Sequence, residues 1–309
     1  MLGEIASDAL RDRVLVLRTL PQFAALDEDD LTLLAEHAHL SFAPRGTLLF
    51  REGDLLDRIY LLVTGEVTIG HGDQSRTLRG PGEVGLLSLF AGRETAREAL
   101  VTSNATLLEL PASVVLSSFY ESTSIARNTI RLAARTLLDR RGNLPSPSDV
   151  VDAGVYFDTS PTLVEKMIAM RRSPMWAQAS LDAIAELCRH VEEYRTGANE
   201  VLWEIGDPAV YAYRLEYGIV RCENAKGESV RVGAAGVLGG LDGLAGMPRS
   251  YRVTTETPCI IFRMRASTQL AILEVHPQVA ARLRMELSRT ILEEQASRAA
   301  GSPTMLPVR

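Results

Sequence analysis

One arginine of this chain sits where chemistry could be done. Met247-Pro248-Arg249-Ser250 follows directly on the small-residue run Gly239-Gly240-Leu241-Asp242-Gly243-Leu244-Ala245-Gly246. Glycines let the backbone come close to a ligand, and a guanidinium offers a planar fork of donors that suits a phosphate. An earlier stretch has the same shape, Gly85-Leu86-Leu87-Ser88-Leu89-Phe90-Ala91-Gly92, followed by Arg93-Glu94-Thr95-Ala96-Arg97. There the arginine position falls on Thr95, with Arg93 and Arg97 on either side. Glu83 and Asp242 are the carboxylates nearest the two runs; they read as solvated loop residues, the alternative being that they supply a site carboxylate. Other chemistry lacks a constellation. His37, His71, His190 and His276 show no metal-ligand spacing. Cys188, Cys222 and Cys259 are unclustered and odd in number, so they read as buried thiols rather than ligands or a disulfide. No nucleophile–histidine–carboxylate set, phosphate-binding Walker loop or paired-carboxylate site is visible, so the expectation is a protein that is not an enzyme, with no cofactor and no metal.

The two runs belong to an internal repeat. Gly53-Asp54, Tyr60 and Gly65 recur as Gly206-Asp207, Tyr213 and Gly218 at an offset of 153 residues. From the glycine-rich runs onward the offset is 154, and it holds through Ala112-Ser113 against Ala266-Ser267 and Arg135-Thr136-Leu137-Leu138 against Arg289-Thr290-Ile291-Leu292. Upstream, Pro21 and Phe23 answer to Pro174 and Trp176. Colinear agreement over such a length points to two copies of one domain. The length of 309 residues and 46% hydrophobic composition suit two globular units. A net charge of −6 argues against a nucleic-acid binder, which needs clustered Lys and Arg. The polar start MLGEIASDALRDR is no signal peptide, and no run is apolar enough to span a membrane. The expectation is a cytoplasmic location, with no nucleic acid and no membrane as partner.

Each copy has the same sequence of elements. A helix opens it, with Leu31, Leu33, Leu34 and Ala35 in the first copy and Leu181, Ile184, Ala185 and Leu187 in the second. Short glycine-punctuated strands follow, such as 58–63 and 66–69, with hairpin turns at His71-Gly72-Asp73-Gln74 and Asn224-Ala225-Lys226-Gly227. Two helices close each copy, over 112–140 and 266–299. The pattern predicts an α+β, mainly β fold: two tandem jelly-roll-like double-stranded β-helices, each flanked by helices. The first domain is expected over 1–141, a linker over 142–162, the second domain over 163–300 and a tail over 301–309. Val150 to Phe157 reads as a short strand or a docking segment.

With these motifs in view, each half resembles the cyclic-nucleotide-binding domain family, over about residues 15–140 and 165–298. The tandem arrangement is similar to that of the regulatory subunit of cAMP-dependent protein kinase. The resemblance implies an eight-stranded β-roll and a cassette in which a Glu accepts from the ribose 2′-hydroxyl, an Arg pairs with the cyclic phosphate, and a short helix aims N–H groups at it. This sequence departs from that pattern. The Glu positions hold Leu86 and Gly240, while Arg249 alone keeps the Arg position. Each lost charge-assisted hydrogen bond costs about 1.5–3 kcal/mol, roughly ten- to hundredfold in affinity. The first cassette (Gly85, Leu86, Leu87, Thr95, Ala96) is therefore expected to be vestigial. The second (Gly239, Gly240, Leu241, Arg249, Ser250) is the candidate for cAMP or another cyclic nucleotide.

The function expected is that of a non-enzymatic regulatory or interaction protein that senses a cyclic nucleotide at the second domain only. The alternative is a ligand-free scaffold whose rolls bind other proteins. A transcription regulator is the weaker rival, since it would need a helix-turn-helix after the last helix, where only Gly301–Arg309 remains. The apolar residues Leu283, Met285, Leu287, Ile291 and Leu292 suggest that the last helix contacts a protein partner or a second copy of the chain.

Overall fold

The computed structural model describes residues 2–20, 23–24, 26–72, 75–141, 143–145, 158–173 and 176–299. Pro21, Pro174, the Asp73-Gln74 part of the first hairpin turn, most of the expected linker with Val150–Phe157, and the tail lie outside the described residues.

Each repeat opens on helices whose ends the sequence specifies. In the first, α1 (Leu2–Arg18) precedes α2 (Glu28–His37), which starts at Asp27, whose carboxylate accepts from the Asp30 N–H. In the second, α6 (Leu163–Arg171) precedes α7 (Leu181–Arg189), which starts at Ser180, whose hydroxyl accepts from the Ala183 N–H. Asp27 and Ser180 are repeat equivalents, and so are the buried stripes Leu31, Leu34, Ala35 and Ile184, Leu187, Cys188.

The first roll is built from β1 (His39–Ala43), β2 (Leu48–Phe50), β3 (Arg58–Ile69), β4 (Arg76–Arg79), β5 (Gly82–Val84) and β6 (Ala99–Pro111), all paired antiparallel. Its sheet runs β1-β6-β3-β4, with β2 on β6 and β5 on β3. The two strands expected at 58–63 and 66–69 are one long strand, because β3 bends through Gly65 with register shifts instead of breaking. The second roll has β7 (Glu192–Thr196), β8 (Val201–Trp203), β9 (Tyr211–Tyr217), β10 (Val220–Asn224), β11 (Ser229–Val232), β12 (Val237–Leu238), β13 (Tyr251–Thr255) and β14 (Cys259–Arg265). They form two antiparallel four-stranded sheets, β11-β10-β13-β8 and β12-β9-β14-β7. Leu215, Val220, Cys222, Val253 and Ile261 fill the space between them. The chain is thus α+β, two tandem β-rolls flanked by helices, and no helix among the described residues is long and apolar enough to cross a membrane.

Inside each roll lies a six-residue helix, α3 (Leu86–Ala91) and α8 (Gly240–Ala245), bracketed at both ends by glycines in the left-handed region: Gly85 and Gly92, Gly239 and Gly246. Two helices close each repeat, α4 (Ala112–Glu121) with α5 (Thr123–Arg140), and α9 (Ala266–Val275) with α10 (Pro277–Ala299). The compact units do not follow the repeat boundaries. One gathers the chain up to Thr129 and the run that begins at Arg284; the other gathers Ile130 to Leu283. In the first unit Arg289 Nε donates to the Ala91 carbonyl at 3.0 Å. In the second Arg135 Nε donates to the Ala245 carbonyl at 3.1 Å. Arg135 and Arg289 are repeat equivalents, as are Ala91 and Ala245, so one contact is made twice.

Gly65 (φ +97°) and Gly218 (φ +100°) turn equivalent corners, and a Cβ on either would run into backbone, at Asn104–Ala105 and at Pro258–Cys259 respectively. Gly53 and Gly206 also have positive φ but open space around them. Gly65→Ala and Gly218→Ala should each cost about 3 kcal/mol or more, from backbone strain plus clash. Gly53→Ala and Gly206→Ala should cost about 1 kcal/mol. Urea midpoints at fixed m-value measure both.

Candidate functional site

The structure places Thr95 and Arg249 at the same point of the two rolls. Thr95 N–H donates to the Asp54 carbonyl and its own carbonyl accepts from Gly53 N–H, at 2.9 and 2.8 Å; Arg249 does the same with Asp207 and Gly206, at 2.8 and 2.9 Å. This shared clamp on the Gly-Asp turn confirms the offset of 154 at the cassette. The side chains then diverge. Thr95 is buried and its hydroxyl donates to the Arg51 carbonyl, which ties it to the same turn. Leu86 is buried, Leu87 is half-buried and Ala96 is exposed. Arg93, exposed, pairs with Glu293 at 3.3 Å, so it does not turn into the roll to replace the missing arginine.

Arg249 goes inward and is 3% exposed. Its guanidinium lies 4.2 Å from the Trp203 ring centre and 5.5 Å from that of Tyr213. Nη1 donates to the Gly239 carbonyl at 3.0 Å and Nη2 to the Tyr211 carbonyl. A Cβ on Gly239 would collide with this guanidinium, so the glycine leaves room for the arginine. Burial lowers the pKa of Arg249, and the Asp242 carboxylate, 4.0 Å from Nη1, raises it again.

Asp242 corrects the expectation of a solvated loop residue. It is fully buried on α8, where its Oδ1 accepts from Ser250 Oγ at 2.6 Å. Its Oδ2 has no hydrogen-bond partner. Burial raises its pKa, while the Ser250 hydroxyl and the Arg249 charge lower it. Glu83, half-buried, accepts from the Leu86 N–H at 3.2 Å. In the second roll the Gly239 N–H, one residue before the equivalent of Leu86, donates to the Tyr251 hydroxyl at 2.7 Å.

The structure therefore brings Gly239, Arg249 and Ser250 together, with Gly240 and Leu241 half-buried on the first turn of α8. Sequence reasoning missed the aromatic cage. Trp203 and Tyr251 stand where the first repeat has Phe50 and Arg97, a difference that a position-by-position reading of the repeat would have exposed. Trp203 Nε1 donates to the Tyr251 carbonyl at 2.7 Å, and the rings of Trp203 and Tyr213 lie 4.9 Å apart. Elsewhere the three cysteines are buried and free, with burial pushing the Cys188 and Cys222 thiols up to about 11 and 12. No cluster of metal-ligating side chains occurs among the described residues.

Two antiparallel rolls, each holding a glycine-bracketed helix followed by a residue clamped to a Gly-Asp turn, define a tandem β-roll protein. Residues 41–120, within the first repeat, match the Cyclic nucleotide-binding domain family. A "Cyclic AMP receptor protein" from Thermus thermophilus is 31% identical over 123 residues, 38% of this chain, and the chain spans 57% of that relative's length. Among solved structures, the regulatory domain of Toxoplasma gondii PKA with cAMP is matched over 94% of this chain and 97% of that one, at 14% identity and a TM-score of 0.35. The regulatory subunit of a cAMP-independent protein kinase A from Trypanosoma brucei is matched over 94% and 90%, at 13% identity and a TM-score of 0.37. Likeness of that degree decides nothing about ligand or partner.

Burial is the largest influence on Glu83 and raises its pKa above the usual 4.5. The folded chain then holds its proton more tightly than the unfolded chain, so this residue's contribution is full below pH 4.5 and is lost as pH rises through the folded value. Glu83→Gln keeps an acceptor for Leu86 N–H and should remove that part of the decline. Stability curves of the two proteins from pH 4 to 8 should converge at the acid end and separate upward, with the variant the more stable.

Proposed function

We propose that this chain is a non-enzymatic regulatory module whose second roll binds one cyclic nucleotide, while the first cassette binds none. The observation that supports this reading is the buried Asp242–Arg249 pair. Arg249 occupies the cassette's arginine position, and Asp242 offers a carboxylate two residues beyond the position, Gly240, where the family has its Glu. Asp242 Oδ2 has no hydrogen-bond partner, so it is available to a ribose hydroxyl. On binding, Arg249 would exchange the Gly239 and Tyr211 carbonyls for the cyclic phosphate, and a charged acceptor makes the stronger hydrogen bond. Trp203 and Tyr213 would keep their faces on the guanidinium and hold its plane. The first cassette offers neither group: Thr95 is tied to Arg51, and Leu86 stands in the Glu position.

A second reading has its own support. Arg249 already has two backbone acceptors and an aromatic face, so the cassette can stand as a closed structural node, and the rolls then serve as a protein-binding scaffold. In that case Leu283, Leu287 and Ile291 do not carry the output, because they are buried within the chain, while Met285 and Leu292 are half-buried.

Calorimetric titration of the intact chain with cAMP and with cGMP separates the two readings. The sensor reading expects one site per chain, lost in Arg249→Ala, weakened at least tenfold in Asp242→Asn and unchanged in Thr95→Ala. A folded wild-type chain that binds neither nucleotide supports the scaffold, and two sites per chain would overturn the asymmetry.

A further inference from the structure

The first unit contains a buried arginine of its own, on the closing helix α10. Arg284, on α10, is 5% exposed. Its guanidinium lies in the angle of two rings tilted 57° to one another, 4.0 Å from the centre of Phe90 on α3 and 3.8 Å from that of Phe119 on α4. Both Nε and Nη1 are buried without a hydrogen-bond partner. Burial pushes its pKa down to about 10, and the one titratable group that acts against this, among the described residues, is the Tyr120 phenol. The guanidinium is therefore charged at neutral pH, and no carboxylate among the described residues acts on it. A buried charge in that state is costly unless something pairs with it.

The repeat shows that packing does not demand this charge. The equivalents of Phe90, Phe119 and Arg284 are Leu244, Leu273 and Ile130, all three buried in the second unit. One copy thus uses leucine, leucine and isoleucine where the other uses two aromatic rings and a guanidinium. The three differences are chemically matched: two π faces attract a cation but offer its N–H groups no oxygen acceptor. Tetrahedral oxyanions take donors in the planar, two-pronged arrangement of a guanidinium.

We propose that Arg284, set against Phe90 and Phe119, is an anion-binding residue of the first unit that takes an oxyanion of the phosphate class. The site is separate from Arg249 and does not rest on the cyclic-nucleotide reading of the second roll. The chemistry is shared by free phosphate and by the phosphate of a nucleotide.

The test uses the full chain. Thermal unfolding is followed in increasing inorganic phosphate, with chloride adjusted to hold ionic strength constant. The wild-type midpoint should rise with phosphate, and Arg284→Met, which keeps the length and loses the charge, should show no rise. A wild-type midpoint indifferent to phosphate, or the same rise in both proteins, overturns the proposal. Two further measurements hold if Arg284→Met fails to fold. Arg284→Lys keeps a charge without the planar fork and should bind phosphate at least tenfold more weakly. In the wild type, the Nε–H resonance of Arg284, assigned by its loss in Arg284→Lys, should move on replacing chloride by phosphate in protein refolded in each buffer; an unmoved resonance overturns the site. Repeating the resonance measurement with cAMP in an Arg249→Ala background identifies the source, since movement with cAMP points to a nucleotide phosphate and movement with phosphate alone to the free ion.

Discussion

A short helix that ends at a left-handed glycine leaves its last carbonyls without helical donors, and both rolls satisfy that need in the same way. The Ala91 carbonyl takes a hydrogen bond from Arg289, and the Ala245 carbonyl takes one from Arg135. Each donor reaches its acceptor from a long closing helix, and that contact ties the helix to the cassette. The compact units reflect it: the chain from Arg284 onward packs with the first roll, and the second half of α5 with the second. Neither repeat, taken as a stretch of sequence, carries its own closing arginine. A change at α3 or α8 is therefore felt first by a helix of the other repeat, whichever ligand causes it.

The two cassettes then show what a roll does with its arginine position once the family's Glu is gone. In the first, threonine replaces arginine and its hydroxyl is satisfied within a turn. In the second, arginine is retained in a polar, aromatic setting that the first repeat lacks. Trp203 supplies a face, Gly239 and Tyr211 supply carbonyls, and Asp242 supplies a charge. Replacing any one of these would leave a buried charge short of a partner, which costs more than the partner's bond is worth in water. Arg249 is thus held by a network that only glycine at position 239 leaves space for.

Much of this fold was legible in the sequence because glycine, aspartate and proline mark turns by local chemistry, and the repeat doubled every mark. The Gly53-Asp54 and Gly206-Asp207 turns, the N-caps at Asp27 and Ser180 and the bracketed cassette helices all declare themselves within a few residues. What sequence hid is non-local. Nothing near Asp242 reveals that it is buried, because its neighbours are glycine and leucine and its partners Ser250 and Arg249 come from the turn before β13. The stacking of Trp203 on Arg249 joins positions 46 residues apart. The strand count of the first roll was misread because Gly65 permits a bend as readily as a break. The apolar excess of α10 was visible, but not that the chain itself buries Leu283, Leu287 and Ile291.

Buried charge is distributed unequally between the copies, and this inequality separates their roles better than the cassette motif does. Arg214 and Glu216 form a buried ion pair in the second roll, where the first has Leu61 and Val63. Asp242 and Arg249 likewise replace Ser88 and Thr95. Four ionisable groups thus stand in the second roll at positions the first fills with apolar or hydroxyl side chains. The first roll shows that the architecture closes without any of them, and buried ion pairs are poor sources of stability compared with apolar packing. Charges that the fold does not require and that stability does not favour are retained for what they fix or bind. In the second unit that argument falls on Arg249 and Asp242. In the first, where the roll itself is apolar, it falls on the buried guanidinium of Arg284 on α10.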